Sequence, residues 1–386
     1  MTTQKDKPKI LFLHHAGSTG GGAEASLYEL VTFLRNEGRL DPYVGLPFGT
    51  LSVRLEEAGI PCFNFPITPL TKVPSPGNLW KFLRSVHQVR RQLRDLIEAE
   101  RIDLVHANSD HACLYAALAL PRDSNVPLVW HGRDLAALGP LGTWLAKRAD
   151  RIVAISAAVA NHLLRYTKSR EKLETIANGT NTRFFAEDSK KDTIELAGLD
   201  KATFVVGMVG QYVRWKNHSA FIKAAQLLAE AIPDAHFIIA GACHTHKAAK
   251  YRVHLEKMAY ELGIRERITF TEKLNDVRGM LHRLNCLVHP AECEPFGRGL
   301  VEAMAAGSPV VAVDACGPGE IVTDMHDGLL VPSPTPYALA EAVIRIKASP
   351  ELAERLGTNA AETARNEYDI SRVAFQIQSL YRELLG

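Results

Sequence analysis

Short, almost wholly apolar runs recur along this chain, each followed by a stretch of helical periodicity, and the series starts twice. The first series reads as strands at Lys9–His14, Tyr43–Pro47, Cys62–Phe65, Asp103–Ala107, Leu128–His131, Arg151–Ser156 and Thr175–Asn178. After a polar stretch, Glu187–Asp192, it resumes with Thr203–Gly210, His236–Gly241, Arg267–Thr271, Cys286–Pro290, Val310–Asp314 and Leu329–Pro332. Strands without polar alternation are buried on both faces, as in a parallel sheet between two helix layers. Their alternation with helices implies βαβ units, hence an α/β fold of two doubly wound, Rossmann-like domains. The break predicts a boundary between Ala177 and Lys201, with an N-terminal domain over 1–185 and a C-terminal domain over 186–368. A closing helix lies within 369–386. Read as Ser371–Leu384, it carries Val373, Ile377, Leu380, Tyr381 and Leu384 near helical spacing. It can pack on either domain, including back on the first.

Composition narrows the class. At about 150 residues per domain, 386 residues make two or three domains. The formal charge of +2 argues against a dedicated binder of polymeric nucleic acid. Six cysteines (Cys62, Cys113, Cys243, Cys286, Cys293 and Cys316) are scattered without a CxxC pair. They read as small buried hydrophobes in a reducing compartment. The apolar run Ile10–Leu13 is too short for a secretory segment. Ala112–Leu120 has about half of the ~20 residues that a spanning helix needs. The expectation is a soluble, cytoplasmic protein.

In open parallel sheets, ligands bind beyond the carboxyl ends of the strands. After the first strand comes His14-His15-Ala16-Gly17-Ser18-Thr19-Gly20-Gly21-Gly22-Ala23-Glu24, leading to a helix at Ala25–Leu34. Gly20–Ala25 fits G-x-G-x-x-A, yet it begins well past the strand, and no acidic residue closes the second strand. Gly17–Gly22 has the P-loop spacing, but Ala23 stands where that motif needs Lys. A flexible turn accounts for the same small residues.

The second series opens with a loop carrying Arg214 and Lys216. Two cations so spaced can clamp a diphosphate, the Arg by its fork and the Lys as a point charge. A solvated basic turn is the alternative. Further on, Glu294 precedes a helix beginning near Gly297, and Glu302 lies within that helix beside an apolar stripe. A carboxylate there needs a partner. The amides of Gly297–Gly299 and the helix dipole favour an anion, and Gly307 with Pro309 ends the helix. Without a ligand, the same residues are one loop Glu and one snorkelling Glu.

These loops together resemble the retaining glycosyltransferase family 4, of the GT-B type. The resemblance covers nearly the whole chain. It is carried by Gly21-Gly22-Ala23-Glu24, Val129-Trp130-His131-Gly132, Ile152–Ser156, Ile176-Ala177-Asn178-Gly179, the E-x7-E element Glu294–Glu302, and Gly317-Pro318-Gly319-Glu320-Ile321. It implies two Rossmann-like domains facing a central cleft that closes on the donor. The implied catalytic residues are Glu294, which meets hydroxyls of the donor sugar, and His131, near the anomeric centre and the acceptor. The implied donor-binding residues are Gly21 and Gly22 near the phosphates, Lys216 at the diphosphate, backbone amides around Phe296, Gly297 and Arg298, and Glu302 at the ribose. Two positions depart from the family. Gln211 stands where Arg is frequent, so Arg214 is the candidate to supply that charge, and Asn181 replaces an Asp.

The implied activity moves a sugar from a nucleotide-diphosphate sugar to an acceptor hydroxyl with retention, in cell-surface polysaccharide, lipopolysaccharide or glycolipid synthesis. No D-x-D occurs in the chain, so no metal site is expected, and no cofactor beyond the donor itself. Two other functions fit the same motifs: a sugar-nucleotide epimerase or hydrolase, and a catalytically silent scaffold. The acceptor is a sugar or a lipid-linked sugar, read by loops around Pro66–Asn78. The basic amphipathic stretch Trp80–Arg94 suggests peripheral contact with the inner face of a membrane. A solvated Arg face explains that stretch equally well.

Overall fold

The structure, a computed structural model, describes residues 7–68, 75–122, 124–187, 204–243, 245–271, 274 and 276–386. The chain divides into two compact units, Met1–Gly179 with Ile370–Gly386, and Thr180–Asp369. The division falls at Gly179 where the sequence places it at 185. Most of the polar break, residues 188–192, lies outside the described residues, as do residues 69–74 of the expected acceptor loop.

The first unit runs β1 (Lys9–Leu13), α1 (Gly22–Glu37), β2 (Asp41–Leu46), α2 (Thr50–Glu57), β3 (Cys62–Asn64), α3 (Pro76–Glu100), β4 (Leu104–Ala107), α4 (Asp110–Ala119), β5 (Leu128–Gly132), α5 (Pro140–Arg148), β6 (Arg151–Ala154), α6 (Ala157–Leu163) and β7 (Leu173–Thr175). The second runs α7 (Thr182–Ala186), β8 (Phe204–Val209), α8 (His218–Ala231), β9 (Ala235–Ala240), α9 (His246–Glu261), β10 (Ile268–Thr271), α10 (Arg278–Leu281), β11 (Cys286–His289), α11 (Arg298–Ala305), β12 (Val310–Val313), α12 (Cys316–Ile321), β13 (Leu329–Val331), α13 (Pro336–Ala348) and α14 (Pro350–Glu367). Helix α15 (Ile370–Leu385) returns to the first unit.

Both sheets are parallel, in the orders β3-β2-β1-β4-β5-β6-β7 and β10-β9-β8-β11-β12-β13. Each reverses direction between its first and fourth strands, β1/β4 and β8/β11. Loops leaving those pairs diverge and open a crevice, which is where a doubly wound sheet takes its ligand. Ile10 to Leu13 of β1 are wholly buried, as a strand covered on both faces requires. Only β7 departs from the apolar-run reading: it ends at Thr175, where the expected strand begins. As an edge strand it is half polar, and the fully buried Ile176 that drew the assignment already belongs to the following loop.

Helix caps place the loops that follow the strands. Ser109 and Ser156 accept hydrogen bonds from the amides of Ala112 and Val159, starting α4 and α6 at the ends of β4 and β6. Helix α15 buries Ile370, Val373, Ile377, Leu380 and Tyr381 in the core that holds Ile10, Phe12 and Leu27. Each such side chain contributes roughly 2 kcal/mol. A Cβ at Gly179 would lie 2.8 Å from Ile370, so only glycine lets the chain pass the start of α15 here. Among the described residues, no helix is long and apolar enough to cross a membrane.

Candidate functional site

In the second unit the β8 and β11 loops deliver opposite charges to one point. Lys216 closes a 3-10 turn, Arg214–Lys216, and its ammonium pairs with Oε2 of Glu294. His289, the last residue of β11, brings Nε2 to 3.1 Å from the same oxygen. Burial pushes the Glu294 carboxyl up, but Lys216 and His289 outweigh it and the pKa falls to about 2. Glu294 is therefore a buried, ionised acceptor with a defined orientation.

Immediately downstream, Gly297 caps α11 at φ +117°, in the left-handed region open to glycine. The amides at the start of the helix carry its positive dipole end, while those of Leu300 and Val301 already donate to the Gly297 carbonyl. Phe296 is buried edge-on against Tyr368, with ring centroids 5.8 Å apart, which fixes the loop entering the helix. The partner that Glu302 needs is Arg298, 2.7 Å away and one turn earlier. Helix α11 ends in a Schellman motif. The Ser308 amide reaches the Ala303 carbonyl at 3.0 Å and that of Gly307 reaches Met304 at 2.9 Å, with Gly307 at φ +76°.

The six-free-thiol reading is corrected here. Cys293 and Cys316 form a disulfide that staples the loop before Glu294 to the start of α12. The Gly317 amide reinforces it by donating to the Glu294 carbonyl at 2.9 Å. Twenty-three residues of separation hid the pair, because parallel strands β11 and β12 bring their carboxyl-end loops together regardless of sequence distance. Cys62, Cys113, Cys243 and Cys286 take no part in a disulfide.

Arg214 is not brought to Glu294. Its guanidinium lies 5.6 Å over the Tyr251 ring, in a cavity of about 510 Å³ lined also by Tyr212, Trp215, Lys247 and His254. Neither Lys216 nor Glu302 lines that cavity.

The first unit builds a different kind of site at its switch point. His131, near the end of β5, is 3% exposed, and its Nδ1 lies 2.9 Å from Nε2 of His106 on β4. Arg133 reaches the same Nδ1 at 3.3 Å and is fastened by the side-chain oxygens of Asn108 and Asn178, both at 2.6 Å. Asn108 continues to His14 (3.1 Å), and His14 to Glu24 (3.5 Å). Gly21 caps α1 without a side chain; a Cβ there would lie 2.1 Å from a Glu24 carboxyl oxygen, whereas one on Gly22 would meet open space. Burial first, then the Arg133 charge, lowers the His106 pKa to about 3 and that of His131 well below the ordinary 6.5.

The structure thus groups Glu294 with Lys216, Arg298 with Glu302 beside Phe296 and Gly297, and His131 with the Glu24 end of the Gly21-Gly22 turn. The motif reading did not single out His14, His106, Asn108, Arg133, Tyr381 or His289 as site residues. Position at the carboxyl ends of β1, β4, β5 and β11 was the available signal for all of them except Tyr381. Among the described residues, no group of three or more His, Cys, Asp or Glu is placed to hold a metal ion.

Two Rossmann-like units, each with a polar constellation at its switch point, define the class: a GT-B glycosyltransferase scaffold. Comparison with known proteins agrees. Residues 20–184 match Glycosyltransferase Family 4, and residues 189–363 match Glycosyl transferases group 1. HepE of Anabaena, solved in complex with UDP-glucose, has a TM-score of 0.82 and 26% identity, covering 97% of this chain and 99% of that one. The alpha-D-kanosaminyltransferase of Streptomyces kanamyceticus is 26% identical over 80% of this chain and 82% of its own. The lipopolysaccharide core biosynthesis mannosyltransferase LpcC of Rhizobium leguminosarum is 27% identical over 63% of this chain and 67% of its own. The chain belongs to the family 4 glycosyltransferases.

Proposed function

We propose that this protein transfers a sugar, with retention of configuration, from a nucleotide-diphosphate sugar to an acceptor hydroxyl during synthesis of a cell-surface polysaccharide, lipopolysaccharide or glycolipid. One observation carries the reading: Glu294 is buried, ionised and shared between Lys216 and His289, beside the glycine-capped start of α11. A fixed buried acceptor suits sugar hydroxyls. A neighbouring ammonium and a helix N-terminus suit the diphosphate as it departs and gains charge. HepE binding UDP-glucose supports a nucleotide sugar as the donor here.

In this mechanism Glu294 orients the donor and is not a nucleophile. Lys216 lets go of Glu294 in part to hold the leaving diphosphate, and Glu302 turns from Arg298 to the ribose hydroxyls. The departing phosphate takes the proton of the acceptor hydroxyl, so the new glycosidic bond forms on the face from which the leaving group departs. His131 offers an N–H to the sugar. Lys216 and the α11 amides carry the charge, with neither metal nor organic cofactor required.

Peripheral membrane contact through α3 is part of the same proposal. Trp80 is 61% and Leu83 56% exposed on that helix, and Arg84 lies 5.5 Å over the Trp80 ring. An exposed aromatic beside a cation suits the interface of an anionic bilayer.

The test is a panel of nucleotide sugars with and without acceptor extracts, in buffer containing a chelator, with the product anomer read by NMR. The reading expects acceptor-dependent release of nucleoside diphosphate, a product with the donor's anomeric configuration, and loss of both in Glu294→Ala. Rapid donor turnover without acceptor favours a hydrolase or epimerase, and an inverted product removes retention.

A further inference from the structure

His131 has one ring nitrogen engaged and one that is not. Its Nδ1 lies 2.9 Å from His106 Nε2 and 3.3 Å from Arg133 Nη2, while its Nε2 is buried without a partner among the described residues. A guanidinium nitrogen only donates, so Nδ1 must be the acceptor, and the single proton of a neutral His131 sits on Nε2. The same logic runs one residue outward. His106 must bring an N–H to that nitrogen from its own Nε2, which leaves its Nδ1 as a lone pair. The Tyr381 hydroxyl, from α15, stands 2.7 Å from that lone pair and is its donor.

Both histidines and Tyr381 are sealed in. Phe12 packs 5.0 Å from the His106 ring and 6.4 Å from that of Tyr381, and Tyr381 is only 3% exposed. Water cannot replace a missing partner there, so removing one group changes the protonation pattern of the rest. Burial also keeps both imidazoles neutral, as their lowered pKa values require.

We propose that Tyr381, acting through His106, is a positioning residue for His131: the relay holds His131 in its Nε2–H form and aims that N–H at an oxygen of the nucleotide sugar. The proposal rests on the donor-site role given to His131 above. It gives α15 a purpose beyond packing, since a side chain 275 residues from His106 in sequence sets the hydrogen-bonding character of the site. Tyr381 touches no substrate. Its influence passes entirely through two imidazole rings.

The experiment is ¹⁵N NMR of histidine-labelled full-length protein, wild type and Tyr381→Phe, with His131→Phe to assign the His131 signals. It is paired with kinetics of acceptor-dependent UDP release, with UDP-glucose as the donor probe and acceptor extract present. Tyr381→Phe keeps the buried ring, so the fold is retained while the donor is lost. The proposal expects wild-type His131 protonated on Nε2 alone, an Nδ1–H population appearing in Tyr381→Phe, and kcat falling about tenfold at little-changed KM, the scale of one misplaced hydrogen bond. Wild-type His131 protonated on Nδ1, or identical His131 signals in Tyr381→Phe, overturns the relay. A shifted tautomer with unchanged kcat overturns the positioning role. If His131→Phe itself leaves kcat unchanged, the donor-site reading of His131 fails instead, and the tautomer result still decides the relay.

Discussion

At the β1/β4 switch point, burial has left histidines neutral; at the β8/β11 switch point, a buried carboxyl stays charged. The contrast lies in what each group faces. His106 and His131 face hydrocarbon, hydrogen-bond donors and the Arg133 cation, all of which oppose a second proton. Glu294 faces an ammonium and an imidazole, which outweigh the cost of desolvating its carboxylate. One topology used twice has therefore produced a neutral hydrogen-bonding site and an ionic one. Desolvation by itself accounts for the neutral histidines but not for the ionised Glu294, where the neighbouring positive charge outweighs it.

The largest effect should come from breaking the ionic side. In Lys216→Ala, Glu294 loses its main counter-charge and burial pushes its pKa back up. With about 4 kcal/mol at stake for a broken buried pair, kcat/KM for the nucleotide sugar should fall roughly 10³-fold in steady-state assays. Next is the staple that only the second unit has. Reducing Cys293–Cys316, or the double change Cys293→Ser/Cys316→Ser, reopens a loop worth roughly 3 kcal/mol. Calorimetry should show the melting transition of the second unit falling while that of the first holds.

Mild acid should act through buried neutral histidines and spare Glu294. The folded pKa of His106 is about 3, below the 6.5 of an ordinary histidine, so the unfolded chain binds the extra proton first. Stability of the first unit is thus lost as pH falls from 6.5 towards 3, by about 2 kcal/mol at pH 5 for that one residue. The Glu294 contribution is fully present above its ordinary 4.5 and is lost only as pH falls towards 2. Hydrogen exchange at pH 5, corrected for intrinsic rates, should show β4 and β5 less protected than at pH 7, and the start of α8 as well, because burial likewise lowers the His218 pKa to about 4. The smallest effect concerns α3. Trp80→Ser with Arg84→Ser should weaken co-sedimentation with anionic vesicles about fivefold, near 1 kcal/mol. Equal binding by wild type and variant would leave that face merely solvated.

Much of this was legible in the residue order, and what was not has a common cause. Apolar runs marked both sheets, because a strand covered on two faces cannot alternate. Lys216, Glu294 and Gly297 could be singled out because strand-to-helix loops at parallel-sheet ends are where ligands bind, and the structure places all three on such loops. The failures are contacts between such loops. His289 with Glu294, Arg298 as the partner of Glu302, and Cys293 with Cys316 follow from neighbouring strand ends, not from spacing. Arg214 was read as a second diphosphate cation by proximity to Lys216, and its guanidinium lies over the Tyr251 ring. Tyr381 was read as one more apolar position on α15. Its hydroxyl matters only once the helix has docked over His106.

The most direct test of the central claim, that the charged switch point holds a nucleoside diphosphate, is titration calorimetry with UDP, GDP and ADP. Wild type should bind at least one of them, Lys216→Ala should bind it at least about 100-fold more weakly, and Tyr381→Phe should bind it as wild type does. No binding by wild type, or equal affinity in Lys216→Ala, would contradict the account.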